Sequence, residues 1–401
     1  MIISILGGLA AGILSLADIV LRKTLRANME SITILGLLPP ISFIFSLSLT
    51  QALGFGRRRK IILFSLAVLG AVPLGLVYFF NYSIPFLLFA FLCFFMSVTV
   101  ISPAFSNLYK RYYRQEIIGK LFGYAVSANV VASMIGAYMT GYLLDKDSSL
   151  YSIMFPAGGV LSFITIVLLA LISFEHGKDA EFHPFDMNLL LAPYKSLRKV
   201  LKEDREYAIF QRNFFCYGFA FLLLIPVLPL FFVERLHIDY QTVAEARSII
   251  GQLGILFLSP LAGTYFDRQN PYRFTGYSFM LLGIFPTLVC LSQFFSGNYM
   301  IAVLYLGYGI LSIGMTGVSL SWNLSSLYFA KNRDTSIYQG IHVTLTGLRG
   351  LISPLVGYLI LLFFSYEVAF TISALVFALS SFLMLYRYYK VIKPGNIPKT
   401  A

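Results

Sequence analysis

Long apolar runs separated by short polar segments dominate this sequence. Each run has at least the roughly 20 residues that a helix needs to cross the hydrocarbon core of a bilayer. A membrane barrel would instead show ten-residue segments of alternating hydrophobicity, so the runs favour helices. The pattern predicts twelve transmembrane helices, at residues 2–22, 31–53, 61–80, 84–108, 119–144, 150–173, 208–233, 241–265, 274–295, 299–328, 337–364 and 366–388.

One long polar segment, residues 175–207, interrupts this series between the sixth and seventh runs. Its charges are mixed, and residues 190–202 have the pattern of an amphipathic helix on the membrane surface. We therefore predict an N-terminal six-helix bundle at 1–174, a cytoplasmic linker at 175–207 and a C-terminal six-helix bundle at 208–401. The predicted fold class is an all-α integral membrane protein of twelve helices in two pseudo-symmetric bundles.

The two halves also share short sequence matches in the same order. The second half repeats the first at offsets of 213 to 219 residues. The matched pairs are Leu69–Pro73 with Leu282–Pro286, Leu108–Tyr109 with Leu327–Tyr328, and Gly141–Leu143 with Gly357–Leu359. Matches in conserved order at a nearly constant offset indicate an internal duplication of six spans.

The basic residues are distributed unevenly between the two sides of the membrane. When loops are assigned alternately, most Lys and Arg lie on the side that holds both termini, including the run Arg57–Lys60. By the positive-inside rule, both termini are cytoplasmic. This placement accounts for the net charge of +12 without a nucleic-acid partner. We expect a multi-pass monomer in a plasma or bacterial inner membrane, with membrane lipid and a small solute as its partners.

The composition, 58% apolar and only 12% charged, excludes an ordinary soluble enzyme. Cys93, Cys216 and Cys290 each lie inside an apolar run, without the spacing of a disulfide framework or a zinc site. The sequence has no GxxxxGK[ST] phosphate-binding loop and no Ser-His-Asp grouping at one membrane depth. We therefore predict a protein that is not an enzyme and that uses no metal and no cofactor.

Polar residues inside the predicted spans indicate where a solute would pass, because in hydrocarbon they must face other helices or water. The eleventh span has polar positions at steps of three and four, which places them on one helix face. They are Thr335, Gln339, His342, Thr346, Arg349 and Ser353. Arg349 lies near the midplane, where a charge costs several kcal/mol unless it is paired or wetted. It either meets the solute or forms a structural contact with Asp18, Glu245 or a backbone carbonyl.

Other spans supply further candidates for the solute site. Gln252 lies in the eighth span, and Thr316, Ser319 and Asn323 lie in the tenth. With Arg349, His342 and Thr346 they form the predicted substrate-binding set. His342 either titrates near neutral pH or is a buried neutral histidine. Asp18 in the first span is the candidate coupling residue, and an ion pair with Arg22 one turn later is its alternative role.

Two loops carry a resemblance to a known family. The loop after the second span reads Gly56-Arg57-Arg58-Arg59-Lys60, and the loop after the eighth keeps Gly263, Asp267 and Arg268. With the six-plus-six duplication, they resemble the major facilitator superfamily of secondary transporters, whose signature is Gly-x-x-x-Asp-Arg-x-Gly-Arg-Arg. Leu53 and Gly54 stand where that signature has its Asp and Arg. The resemblance covers essentially the whole chain.

The resemblance implies a transporter that works by alternating access, with a cytoplasmic gate formed by these loops. The implied gating residues are Gly263, Asp267, Arg268, Arg57, Arg58 and Arg59. Their alternative role is that of charges that only set the topology. A midplane cation without a midplane acid favours an anionic or partly anionic solute. The alternatives are proton-coupled export of amphipathic or drug-like compounds, with Asp18 carrying the proton, and a sensor or scaffold that transports nothing.

Overall fold

The structure, a computed structural model, describes residues 1–53, 58–99, 115–172, 199–331 and 335–392. Side chains are described within these ranges except at 44–53, 58–59, 115–122, 267, 335–337 and 340. Every regular element in the described part is helical. The α-helices are α1 Ile2–Leu14, α2 Ala17–Lys23, α3 Met29–Leu53, α4 Arg58–Leu76, α5 Ile84–Val98, α6 Gln115–Lys146, α7 Tyr151–Leu171, α8 Arg205–Leu223, α9 Val227–Glu234, α10 Tyr240–Ala244, α11 Gly251–Asp267, α12 Pro271–Ser292, α13 Gly297–Ala330, α14 Thr335–Phe363 and α15 Tyr366–Arg387.

Eight helical segments in the described residues are long and apolar enough to cross a membrane. They are Ile2–Lys23, Ser148–Leu171, Arg205–Glu234, Tyr240–Phe266, Pro271–Ser292, Gly297–Ala330, Ile341–Phe363 and Tyr366–Ile392. Three shorter apolar helices, Met29–Phe43, Lys60–Leu76 and Ile84–Val98, fall below that length within the described part. The all-helical prediction is therefore confirmed, whereas these spans do not confirm a count of twelve.

Several predicted runs are not single helices. The first run breaks at Ser15 and Leu16, between α1 and α2, and the seventh breaks between α8 and α9. At the first break the Ser15 hydroxyl donates to the Gly12 carbonyl at 2.7 Å. The eighth run contains a π-helical segment, Glu245–Ile250, between α10 and α11. Hydropathy does not detect such breaks, because the apolar character continues through them.

The chain divides into two compact units. The first consists of Met1–Leu190 with Phe232–Ile249, and the second of Leu191–Phe231 with Ile250–Ala401. Residues 232–249, from the second half of the sequence, thus belong to the first unit. Most of the linker predicted at 175–207 lies outside the described residues. At its end, Asp204 accepts a hydrogen bond from the Tyr207 backbone N–H at 3.0 Å and caps α8.

Both units use the same pattern of helix packing. In the first unit α1 packs on α6 and α7, α4 packs on α5 and α7, and α3 packs on α5. In the second unit α8 packs on α14 and α15, α12 packs on α13 and α15, and α11 packs on α13. Each of these pairs in one unit therefore has its counterpart in the other when the described helices are taken in chain order. This repetition agrees with the duplication that the sequence matches indicate.

Glycines allow the closest of these approaches. A Cβ at Gly12 of α1 would lie 2.2 Å from the Ser133 carbonyl oxygen of α6. A Cβ at Gly357 of α14 would lie 2.1 Å from the Leu223 carbonyl oxygen of α8. Because α1 with α6 and α8 with α14 are counterparts, close backbone contact is a shared feature of the two units.

Candidate functional site

Arg349 lies in the middle of α14 in the second unit, with only 5% of its surface exposed. Its Nη1 donates to the Phe214 backbone carbonyl of α8 at 2.7 Å, and its Nη2 donates to the Thr346 hydroxyl at 3.2 Å. The guanidinium carbon lies 5.5 Å from the ring centroid of Phe214 and 5.6 Å from that of Tyr217. Two neutral oxygens and two aromatic rings therefore surround this cation.

Arg349 has no carboxylate partner among the described residues, unlike the basic residues that form the described salt bridges. Those pairs join Arg22 to Glu234, Lys23 to Asp145, Arg247 to Asp18, and Arg387 to Glu206. Within the described residues, the hydrogen bonds of Arg349 go to neutral oxygens, and its Nε has no hydrogen-bond partner. Of the contacts that the sequence left open for Arg349, the described geometry shows the one with a backbone carbonyl, and it leaves the Nε atom without a described acceptor.

His342 lies two turns before Arg349 on α14 and is 3% exposed. Its Nδ1 lies 2.9 Å from the Gln211 side-chain oxygen, so the two form a hydrogen bond in the tautomer that has its proton on Nδ1. The imidazole meets Phe214 edge-on at 4.8 Å and Trp322 at 5.2 Å between ring centroids. The Nε2 atoms of both His342 and Gln211 are buried and have no hydrogen-bond partner among the described residues. Phe214 thus contacts both candidate residues.

The remaining predicted solute-site residues are less closely grouped. Thr346 is half-buried, donates to the His342 carbonyl at 2.9 Å and accepts from Arg349, so it joins the two. Thr316 is buried and donates to the Ser312 carbonyl of its own helix, as the Asn323 amide does to the Ser319 carbonyl. Gln252 is half-buried on α11. The structure therefore brings together Arg349, His342 and Thr346.

Sequence reasoning missed the residues of α8 that complete this cluster. Gln211, Phe214 and Gly218 follow one another at steps of three and four, which places them on one face of α8. That spacing was the feature of the sequence from which this helix face could have been predicted. A backbone carbonyl such as that of Phe214 has no sequence signature, since every residue has one.

Asp18, the candidate coupling residue, lies in the first unit. Its two carboxylate oxygens accept from Arg247 Nη1 at 2.9 Å and Nη2 at 2.6 Å. Its side chain is 18% exposed and that of Arg247 is 27% exposed. Arg22 instead contacts Glu234 at 2.5 Å and the Ala27 carbonyl at 2.6 Å. Asp18 and Arg22 therefore do not pair with each other. Asp18 pairs with Arg247 and Arg22 pairs with Glu234, both of which lie more than 200 residues later in the sequence.

A second carboxylate of the first unit, that of Asp145, caps a helix that lies much later in the sequence. Asp145 at the end of α6 accepts from the backbone N–H groups of Tyr240 at 2.8 Å and Gln241 at 2.7 Å. These are the first residues of α10, whose N-terminal N–H groups favour a negative charge. Lys23 lies 3.9 Å from the same carboxylate. Ion pairs and a cap therefore hold residues 232–249 within the first unit.

The predicted gating residues are only partly described. Arg268 is exposed and forms the C-cap of α11. Gly263 lies in α11 with open space where a Cβ would be. Asp267 ends α11, and Arg58 and Arg59 begin α4, but their side chains lie outside the described set. Arg57 lies outside the described residues altogether.

Comparison with known proteins identifies the family of the chain. A sequence model described as Major Facilitator Superfamily matches residues 1–338, which is most of the chain. The chain belongs to this superfamily. This membership confirms the resemblance and identifies a transporter family of integral membrane proteins. No curated protein matches the sequence.

Solved superfamily structures have the same fold. A single-residue variant of the nucleoside transporter NupG matches with a TM-score of 0.71 and 14% identity, over 96% of this chain and 98% of that chain. NupG itself matches with a TM-score of 0.66 and 14% identity, over 97% and 98%. The human organic anion transporter MFSD10 matches with a TM-score of 0.62 and 14% identity, over 96% and 97%. At this identity the similarity establishes the fold alone.

Proposed function

We propose that this superfamily member is a secondary active or facilitative transporter that moves a small anionic or partly anionic solute by alternating access. The proposal includes twelve spans in two six-helix bundles, a cytoplasmic linker at 175–207 and cytoplasmic termini. Family membership, the helix packing shared by the two units and the basic loops support this arrangement. The observation that carries the anionic substrate is the buried guanidinium of Arg349.

A buried cation needs compensation. Removing a charge from water costs several kcal/mol, and an ion pair offsets more of that cost than neutral acceptors do. Arg349 has one backbone carbonyl and one hydroxyl as acceptors, together with an unpartnered Nε. A carboxylate or phosphate of the solute would supply the missing countercharge. The planar guanidinium suits such groups because its N–H donors match two oxygens at once.

His342 and Thr346 complete the proposed site, with Gln252, Thr316, Ser319 and Asn323 as further residues of the solute path. The description of MFSD10 as an organic anion transporter agrees with an anionic substrate. It is support by analogy, because a shared fold does not fix a shared substrate.

The test is uptake into liposomes that contain the purified protein. We would compare benzoate, succinate and uridine monophosphate with their neutral counterparts benzamide, succinamide and uridine. We expect saturable uptake of at least one acid in preference to its neutral counterpart. Arg349→Lys should lower its uptake efficiency roughly tenfold, because the charge remains but the planar fork is lost, and Arg349→Gln should lower it further.

Lys390→Gln is the matched control, because it removes an exposed cation from the C-terminal π-helical segment. Its uptake should equal that of the unmodified protein. If both Arg349 variants melt normally and transport the acid as well as the control does, the proposed site is wrong. If no compound of the panel shows saturable uptake, the result contradicts the transporter proposal and favours the sensor or scaffold hypothesis.

Proton coupling at Asp18 and cytoplasmic gating at Asp267 and Arg268 belong to the same proposal. Both carboxylate oxygens of Asp18 accept from Arg247, so proton coupling at Asp18 would require this ion pair to open. Asp267→Asn should shift the population towards the inward-open state and slow net flux. Unchanged distances across the cytoplasmic face, with unchanged flux, would leave Asp267 as a charge that only sets the topology.

A further inference from the structure

Gly218 is the only glycine of α8, and it faces the guanidinium of Arg349. A Cβ built on Gly218 would lie 2.1 Å from the Arg349 Cζ, 2.2 Å from Nη1 and 2.3 Å from Nε. No real side chain tolerates such distances, since carbon atoms in contact lie about 3.5 to 4.0 Å apart. The guanidinium therefore occupies the space that any other residue at this position would fill.

The contacts around this space fix the orientation of the guanidinium. Phe214, one turn before Gly218, accepts from Nη1 through its backbone carbonyl. Thr346 holds Nη2, and the rings of Phe214 and Tyr217 flank the group. The Nε atom is buried and has no hydrogen-bond partner in the part of the chain that the structure describes. The Nε–H thus remains as a donor on the edge that Nε shares with Nη2.

We propose that Gly218 is a positioning residue, whose missing side chain lets Arg349 lie against α8 and keep its Nε–H available to an anionic solute. This inference rests on the proposed function of Arg349. It goes beyond that function because it assigns the orientation of the charge to a residue on a different helix. Gly218 is not itself expected to touch the solute.

Gly218→Ala forces the guanidinium to move by about 1.4 Å, from 2.1 Å to an ordinary contact distance. The displaced group loses its bond to the Phe214 carbonyl, and misplacement by about 1 Å can change a rate a hundredfold. We expect a rise of roughly tenfold in the KM for the acid that gives the highest uptake in the panel. The three atoms nearest the added Cβ belong to one flexible side chain, so the helix itself can accept alanine.

Gly347→Ala is the matched control. Gly347 lies on α14 two residues before Arg349, and a Cβ there meets nothing within 4 Å. It should leave the KM unchanged. In the Arg349→Lys background, Gly218→Ala should change the KM by less than about threefold, because lysine has no planar group to displace.

Melting temperatures provide a readout that does not depend on transport. Gly218→Ala should lower the melting temperature while Arg349 is present and raise it in the Arg349→Gln background, where only the helix-favouring effect of alanine remains. An equal penalty in both backgrounds, or loss of folding in both, would make Gly218 a helix-packing position and overturn the inference. An unchanged KM in Gly218→Ala would also overturn it. Unchanged acid uptake in Arg349→Gln would instead overturn the proposed function.

Discussion

The ion pair between Asp18 and Arg247 allows a quantitative prediction. Asp18→Asn removes the carboxylate charge but preserves the size of the side chain. Arg247 keeps its bond to the Ser15 carbonyl, which accepts from Nη1 at 3.3 Å, a longer distance than either bond to Asp18. The change therefore tests whether the pair is structural or whether Asp18 serves mainly to carry a proton.

The expected loss of stability lies between two limits. Fully exposed ion pairs contribute about 0 to 1 kcal/mol, and breaking a fully buried one costs about 3 to 5 kcal/mol. Asp18 and Arg247 are 18% and 27% exposed, so solvent screens the pair in part. We expect a loss of about 2 kcal/mol for Asp18→Asn. For a unit of this size, that loss corresponds to a decrease of about 4 to 8 °C in melting temperature.

The assay is thermal unfolding in detergent, with the single variants Asp18→Asn and Arg247→Gln and the double variant. The double variant should lose about 1 to 2 kcal/mol less than the sum of the singles, since it removes both charges of the pair together. Asp147→Asn is the control, because Asp147 is exposed and accepts only within its own turn, from Ser149. Additive losses would refute a structural pair. Unchanged stability with loss of pH-gradient dependence in Asp18→Asn would instead assign proton coupling to Asp18.

Three further predictions concern the helices and the topology. Asp145→Ala should lower the melting temperature more than Asp147→Ala, because Asp145 caps backbone N–H groups of a different helix, a contact worth about 1 kcal/mol. Gly357→Ala should cost about 1 to 3 kcal/mol in detergent unfolding, since its Cβ meets the Leu223 carbonyl, whereas Gly75→Ala meets nothing within 4 Å. A cysteine substituted at Ser196 should react with an impermeant reagent only from the cytoplasmic side, and labelling from outside would contradict the topology.

The long apolar runs were sufficient to predict an all-helical membrane fold. The length and hydropathy of a span are set by the bilayer, and not by the helices that it packs against. The ends and breaks of the helices were harder to predict from the sequence. The break at Ser15 depends on one hydroxyl that bonds a backbone carbonyl, within a segment that stays apolar. A hydropathy window averages over such a feature. The duplication was visible in the sequence only as short matches, yet the main helix pairs of one described unit recur in the other.

Within the candidate site, residues on one helix were predictable and contacts between helices were not. The spacing of His342, Thr346 and Arg349 predicted a common face of α14, and hydrogen bonds now connect all three. Their partners on α8, Gln211 and Phe214, lie about 130 residues earlier in the sequence. Helical periodicity carries no information about which distant helix will face a given stripe. The same reason explains why Arg247 was not recognised as the partner of Asp18.

The position of the charges supports a functional interpretation of Arg349. Three of the four described salt bridges lie near helix ends, as with Arg387 at the end of α15 and Glu206 at the start of α8, and both side chains of the fourth, Asp18 with Arg247, are partly exposed. There, water reduces the cost of each charge. Arg349 is the fifteenth of the 29 residues of α14 and has only neutral acceptors among its described hydrogen bonds. A purely structural contact at this depth would be made at lower cost by an apolar side chain of similar size. This cost supports our proposal that a ligand supplies the countercharge of Arg349 when it binds.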